Sequence, residues 1–92
     1  MNYKLIIEPE ADNDLERHIR AGNKKLLKKI YQLFEELKQH PETGTGKPEP
    51  LKEDRAGQWS RRISDKHRLV YKIEENKVIV LMLSSGGHYD DK

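Results

Sequence analysis

Apolar residues follow a helical period in the first part of this chain and a period of two in the last part. Residues 3–7 (YKLII) form a short apolar run that predicts a strand. Pro9 then suits the first position of a helix, and Glu10, Asp12 and Asp14 follow where the helix dipole favours acids. This helix, from about residue 9 to 20, would end near Gly22, and Asn23 can cap the next one. Leu26, Leu27, Ile30, Leu33, Phe34 and Leu37 recur at three- and four-residue intervals, the stripe of an amphipathic helix turned toward a core. Pro41 stops it.

Beyond a Gly/Pro loop at residues 44–50, QWSRRI (58–63) predicts a strand, SDK a turn, and HRLVYKI (67–73) a second strand. EENK is another turn, and VIVLML (78–83) is apolar on both faces, as a central strand requires. Strand, two helices and an antiparallel meander predict one α+β domain over residues 1–92, its two N-terminal helices packed on a curved, mainly antiparallel sheet. Alternation puts Leu69, Tyr71 and Ile73 on one face of their strand and Arg68, Val70 and Lys72 on the other. Trp59, Arg61 and Ile63 likewise oppose Ser60 and Arg62. If the helices cover the first face, Arg68 and Arg62 stand near each other on the second. Two adjacent guanidiniums repel unless an anion lies between them, which points to phosphate. Trp59 and Tyr71 read as packing residues rather than base-stacking platforms, and His18 and His67 as structural or solvent-facing.

Composition narrows the function classes. The chain has 92 residues, 37% of them charged, and no cysteine, which removes disulfides and thiolate metal sites and suits a reducing cytoplasm. No apolar run is long enough to span a membrane, and the N-terminus lacks the layout of a signal peptide, so a cytoplasmic location is expected. Net charge is only +2, but its distribution is uneven. Between residues 44 and 72, Lys47, Lys52, Arg55, Arg61, Arg62, Lys66, Arg68 and Lys72 outnumber Glu49, Glu53, Asp54 and Asp65. A basic middle between acidic ends is either a phosphate-binding surface or an ordinary solvated face. In GKPEPLKE (46–53) the rings of Pro48 and Pro50 hold Glu49 in extended backbone. That arrangement is either a stiff surface turn or a carboxylate aimed at a target.

His18, His40, His67 and His88 are too scattered to suggest a metal site, and no phosphate loop or dinucleotide fingerprint is present. Cleavage of RNA would need neither, because ribose carries its own nucleophile. A base for the 2′-OH, an acid for the 5′-oxygen and a cation for the pentavalent phosphorus suffice. Glu49, His88 and Arg68 could fill these roles, although any small domain offers one residue of each type.

GTGKPEPLK, GQWSRRISDKHRLVY and the near-terminal HY, together with the first strand and KKIYQLFEEL, resemble the YoeB/Txe family of toxin–antitoxin toxins in the RelE superfamily. The resemblance implies a RelE-like, microbial-RNase-like fold and a ribosome-dependent mRNA interferase that needs no metal or cofactor. It implies catalytic roles for Glu49, Arg68, His88 and Tyr89, and phosphate contacts from Lys47, Lys52 and Arg62. Partners implied are the bacterial ribosome with its mRNA, a YefM-type antitoxin laid across the basic face, and in some members a toxin homodimer. The chain departs from the family pattern in SSGG before His88 and in DDK after Tyr89. Alternatives of other classes are a ParE-like gyrase-poisoning toxin and a degraded relative that only binds. Arg62 and Arg68 could also be structural partners of Asp65 or Glu53.

Overall fold

The computed structural model describes residues 2–44, 46 and 48–85. Strand β1 (Lys4–Ile7) leads into helices α1 (Pro9–Ala21) and α2 (Lys24–Leu37). Strands β2 (Glu49–Pro50), β3 (Gln58–Arg62), β4 (His67–Glu74) and β5 (Lys77–Ser85) follow. They form one sheet in the order β1-β5-β4-β3-β2, with β1 parallel to β5 and the other pairs antiparallel. The α+β architecture expected from the change of period is therefore the one observed. One element differs: Glu49 and Pro50, read as loop, form a short edge strand against β3. Pro50 has no N–H to donate, so a strand containing it belongs at an edge.

Both helices begin as their sequences dictate, and α2 ends at Leu37, short of Pro41. Pro9 opens α1 and Gly22 closes it in the left-handed region at φ 76°. Asn23 caps α2, its side chain accepting from the Leu26 N–H at 3.1 Å. The stripe Leu26, Ile30, Leu33, Phe34 and Leu37 is buried with Ala11 and Leu15 of α1 against Leu69, Tyr71, Val78, Val80 and Leu83 of the sheet. Each such side chain contributes about 1.5–3 kcal/mol on leaving water.

Strand β5 reaches this core by breaking its own alternation. Tyr71 pairs with Val80 while Val70 pairs with Met82, so Leu81 has no residue opposite it. The bulge inserts one residue and turns the pleat over. Val80 and Leu83, an odd number of positions apart, thus both enter the core. Beside the bulge, the buried Asp14 of α1 accepts a hydrogen bond from the Leu83 N–H at 3.0 Å and pairs with Arg17. One acid thereby ties α1 to the irregular half of β5.

At the other end of α1, His18 meets His67 of β4 edge-to-face, ring centroids 5.2 Å apart. The Ser64 hydroxyl lies 2.8 Å from His67 Nδ1. Burial, then the nearby His18 and Lys66, hold His67 below its ordinary value of 6.5. Among the described residues no helix is long and apolar enough to cross a membrane.

A folded His67 that resists protonation makes the unfolded chain the better proton acceptor below pH 6.5. The resulting loss of stability is absent above that pH and grows as pH falls through the lowered folded value. Urea midpoints at pH 7.5 and 5.5 should therefore fall further for the wild type than for His67→Gln; equal falls would remove His67 from the acid response.

Candidate active site

The site is built outward from one buried cation. Arg61 lies on the helix-facing side of β3 with Trp59 and Ile63, as alternation requires, and is fully buried. Its guanidinium bonds to Glu36 Oε1 of α2 at 3.0 Å, to the Thr43 carbonyl at 2.5 Å, to the His40 carbonyl, and to Tyr71 Oη at 3.3 Å. The Tyr71 hydroxyl in turn donates to the Pro41 carbonyl at 2.6 Å. Burial pushes the Tyr71 phenol above its ordinary 10.0 despite the opposing pull of Arg61, so the proton it donates stays in place. Carbonyls of the chain just beyond α2 thus find donors in the sheet.

The same contacts fix the path of the next segment. Gly44, at φ 112°, lies over the ion pair, and a Cβ there would come within 2.7 Å of Glu36 Oε1. Gly46, at φ 86°, lies so close to β3 that a Cβ would sit 2.6 Å from the Arg62 carbonyl. Its own carbonyl accepts from the Arg62 N–H at 2.8 Å. Glu49 then pairs with Ser60, Pro50 with Trp59, and the Leu51 N–H donates to Gln58 at 2.8 Å. The segment read as a Gly/Pro loop runs as a strap along the edge of β3.

Register places the candidate side chains. Cross-strand partners share a face, so Glu49, Ser60, Val70 and Met82 form one row on the side away from the helices. Arg62 and Arg68, directly opposite each other, form the next row on that face. Arg62 turns its N–H to Gly46 rather than to β4, the mark of a non-hydrogen-bonded pair, whose Cα atoms lie about 4.5 Å apart. The diagonal from Glu49 to Arg62 spans about 7–8 Å, within reach of both side chains. Glu49 and Arg62 are exposed and Arg68 is half-buried, whereas Ser60 and Val70 are buried at 1% and 0% exposure. The centre of this face is therefore shielded from solvent, unlike a simple solvated surface. Lys52, exposed, follows β2 just before a single 3₁₀ turn at Glu53–Arg55.

The structure thus brings together Glu49, Arg62 and Arg68, with Lys52 on the segment that leaves β2. Among the described residues no ion pair joins either arginine to Asp65 or Glu53. Lys47, His88 and Tyr89 lie outside the described residues. Arg61, counted in sequence with the surface bases, is corrected to an interior residue neutralised by Glu36. Lys72 is paired with Glu74 at 3.2 Å, which thins the basic face further.

The model of YoeB-like toxins of bacterial type II toxin–antitoxin systems matches residues 7–89. The chain belongs to this family. The Escherichia coli K12 protein named Toxin YoeB is 43% identical over 77 residues, 84% of this chain and 90% of that protein. Among solved structures, a YoeB/ParE toxin from Agrobacterium tumefaciens superposes with a TM-score of 0.83 at 37% identity, covering 89% of this chain and 96% of that one. The YoeB dimer of Staphylococcus aureus superposes at 0.78 with 32% identity, covering 91% and 97%, and the YoeB–YefM complex of that organism at 0.77 with 33% identity and the same coverage. The WSRRI and HRLVY segments that carried the resemblance are β3 and β4 of this toxin.

Sequence reading missed the support behind the site: Arg61, Glu36 and the Tyr71 hydroxyl. Parity with Trp59 and Ile63 marks Arg61 as inward-facing, which implies a buried counter-charge somewhere. No pattern in the chain selects Glu36 from the other acids. Removing that counter-charge leaves a buried guanidinium short of a partner. Glu36→Ala should therefore cost about 3–5 kcal/mol of stability, read from urea unfolding, and a loss below about 1 kcal/mol would mean that the carbonyls alone satisfy Arg61.

Proposed function

We propose that this toxin is an endoribonuclease that cuts mRNA presented in the ribosomal A site, and that a YefM-type antitoxin silences it. The observation that carries the reading is the common face of Glu49, Arg62 and Arg68, set in adjacent rows on paired strands. Glu49 takes the 2′-OH proton, and the 2′-oxygen attacks the adjacent phosphorus. Arg68, with Arg62, Lys52 and Lys47, offsets the charge that builds on the phosphoryl oxygens. His88 returns a proton to the departing 5′-oxygen, assisted by Tyr89. The products are a 2′,3′-cyclic phosphate and a fragment with a 5′-hydroxyl. The nucleophile comes from the RNA, so these side chains suffice for the proton transfers.

Position supports Glu49 as base. Its backbone is held in an edge strand between two prolines, and that strand is anchored through Gly46 and the Arg61 cluster. Misplacement of a reacting group by about an ångström can cost 10²-fold in rate, so such anchoring has a chemical return. Arg62 and Arg68, which form no ion pair among the described residues, support an anionic substrate. Two like charges side by side are destabilising in a free toxin and become favourable once a phosphate bridges them. The same pair is a target for an acidic antitoxin segment, in keeping with the YefM-bound relative, and the relative that forms a dimer supports a homodimer of this chain as well.

Wild type and Glu49→Gln, compared on bacterial ribosomes holding a defined mRNA, test the reading through the mapped fragment ends. Wild type should cut within the A-site codon, and the variant should be slower by about 10²–10⁴-fold, the range of a lost general base. Cleavage undiminished in the variant would reduce Glu49 to a scaffold. No cleavage by either, with gyrase-trapped DNA breaks instead, would transfer the chain to the ParE-like reading.

A further inference from the structure

Helix α2 carries its charges in the order that its dipole disfavours. Lys24, Lys25, Lys28 and Lys29 occupy its first half and Glu35 and Glu36 its second, with no acid in the first turn and no base in the last. Among the described residues these four lysines form no ion pair. Glu35 bonds Lys38 through Oε2 at 3.0 Å in an exposed pair, and a carboxylate can accept from a second cation at its other oxygen.

The side of α2 opposite the core stripe lies in solvent. Lys24, Lys28, Tyr31 and Glu35 recur there at intervals of four, three and four residues, and all four are exposed. That spacing keeps them in one line, as in the seam of a helix that packs on another helix. Tyr31 lies near the middle of α2 and is 47% exposed, one of two large apolar side chains so placed among the described residues. Phe34 meets its ring edge-to-face, centroids 6.1 Å apart. A lone exposed aromatic is ordinary on a protein surface. What distinguishes Tyr31 is its place between a basic half and an acidic half of the same helix. The surface is hollowed to match. One cavity of about 400 Å³ has Lys25, Lys28 and Lys29 in its lining, another of about 540 Å³ has Glu35 and Glu36, and Gln32 lines both.

We propose that this face joins two copies of the chain, their α2 helices packed antiparallel about a two-fold axis that passes between Tyr31 and Gln32. Lys28 and Glu35 are equidistant from that point, so each Lys28 meets the partner's Glu35 and each Tyr31 lies against the partner's Gln32. The same axis sets each basic cavity against the partner's acidic one. A charge order that is unfavourable along one helix is thereby matched in the pair, and a self-complementary contact closes at two copies. This interface rests on the homodimer proposed above and gives it a face. It lies on the outer side of the helix layer, so the two Glu49, Arg62 and Arg68 faces point apart and stay open to RNA or antitoxin. The 14 residues of α2 span only about 21 Å. Such a face buries less than a standard interface, so the dimer dissociates on dilution.

Sedimentation equilibrium of the full chain tests the interface. Lys28→Glu and Glu35→Lys each set like charges across the axis and should each raise the dimer Kd about tenfold or more. Mixed in equal amounts, the two variants should pair with each other and return the Kd to within about threefold of wild type, because each reversal then meets its opposite. Within one helix the two positions are about 10.5 Å apart, so this rescue reads contact between copies. Single variants that dimerise like wild type would move the homodimer to another face and overturn this one alone. Weakened dimers that mixing does not restore would overturn the antiparallel pairing. A wild type that stays monomeric up to about 1 mM overturns the face and the homodimer together. Unchanged self-association of Lys28→Glu, with lowered affinity for a ribosomal RNA fragment, would assign the lysines to RNA and also overturn the interface.

Discussion

Arg61 is the constraint on which the rest of this toxin depends. A guanidinium excluded from water must have its charge and its donors matched, or the fold loses several kcal/mol. Glu36 supplies the charge, and the carbonyls of His40 and Thr43 supply acceptors. Those acceptors belong to the chain just beyond α2, so matching the cation dictates where that chain runs. Tyr71 reinforces the choice through Pro41. The strap that carries Glu49 therefore starts from a fixed point.

The cations of this toxin fall into kinds that a count of charges does not separate. Arg61 is interior and neutralised, and Lys72 is bridged to Glu74. Arg62 and Arg68 face each other across β3 and β4 on the side away from the helices, beside the buried Ser60 and Val70. Two arginines in that relation repel each other unless an anion lies between them. Lys25, Lys28 and Lys29 of α2, which form no ion pair among the described residues, carry a similar repulsion on the opposite side. The two faces are joined around the β3–β4 turn, where Ser85 of β5 also ends beside His67.

Prolines and glycines divide the work along the strap. Gly44 and Gly46 adopt backbone that other residues avoid, at points where the chain passes too close to Glu36 and Arg62 for a side chain. Pro48 and Pro50 then remove donors from an edge and stiffen the backbone on both sides of Glu49. Close approach comes first and rigidity second. The result is a carboxylate on a short strand that cannot drift along its neighbour.

The sequence by itself determined the first strand, the two helices with the apolar stripe of the second, the hairpin strands and the face on which Arg68 and Arg62 lie. These follow from local period, caps and alternation, which act over a few residues and are written in consecutive letters. The resemblance carried by the GKPEP and WSRRI segments determined the family as well. Tertiary structure alone decided that Glu49 pairs with Ser60, that β1 lies parallel to β5, and that a bulge at Leu81 sends both Val80 and Leu83 inward. It also decided that Arg61 meets Glu36 rather than solvent. Each of these depends on which distant groups are available to satisfy a buried charge, an open N–H or an unfilled core position. That matching is settled only when the elements meet.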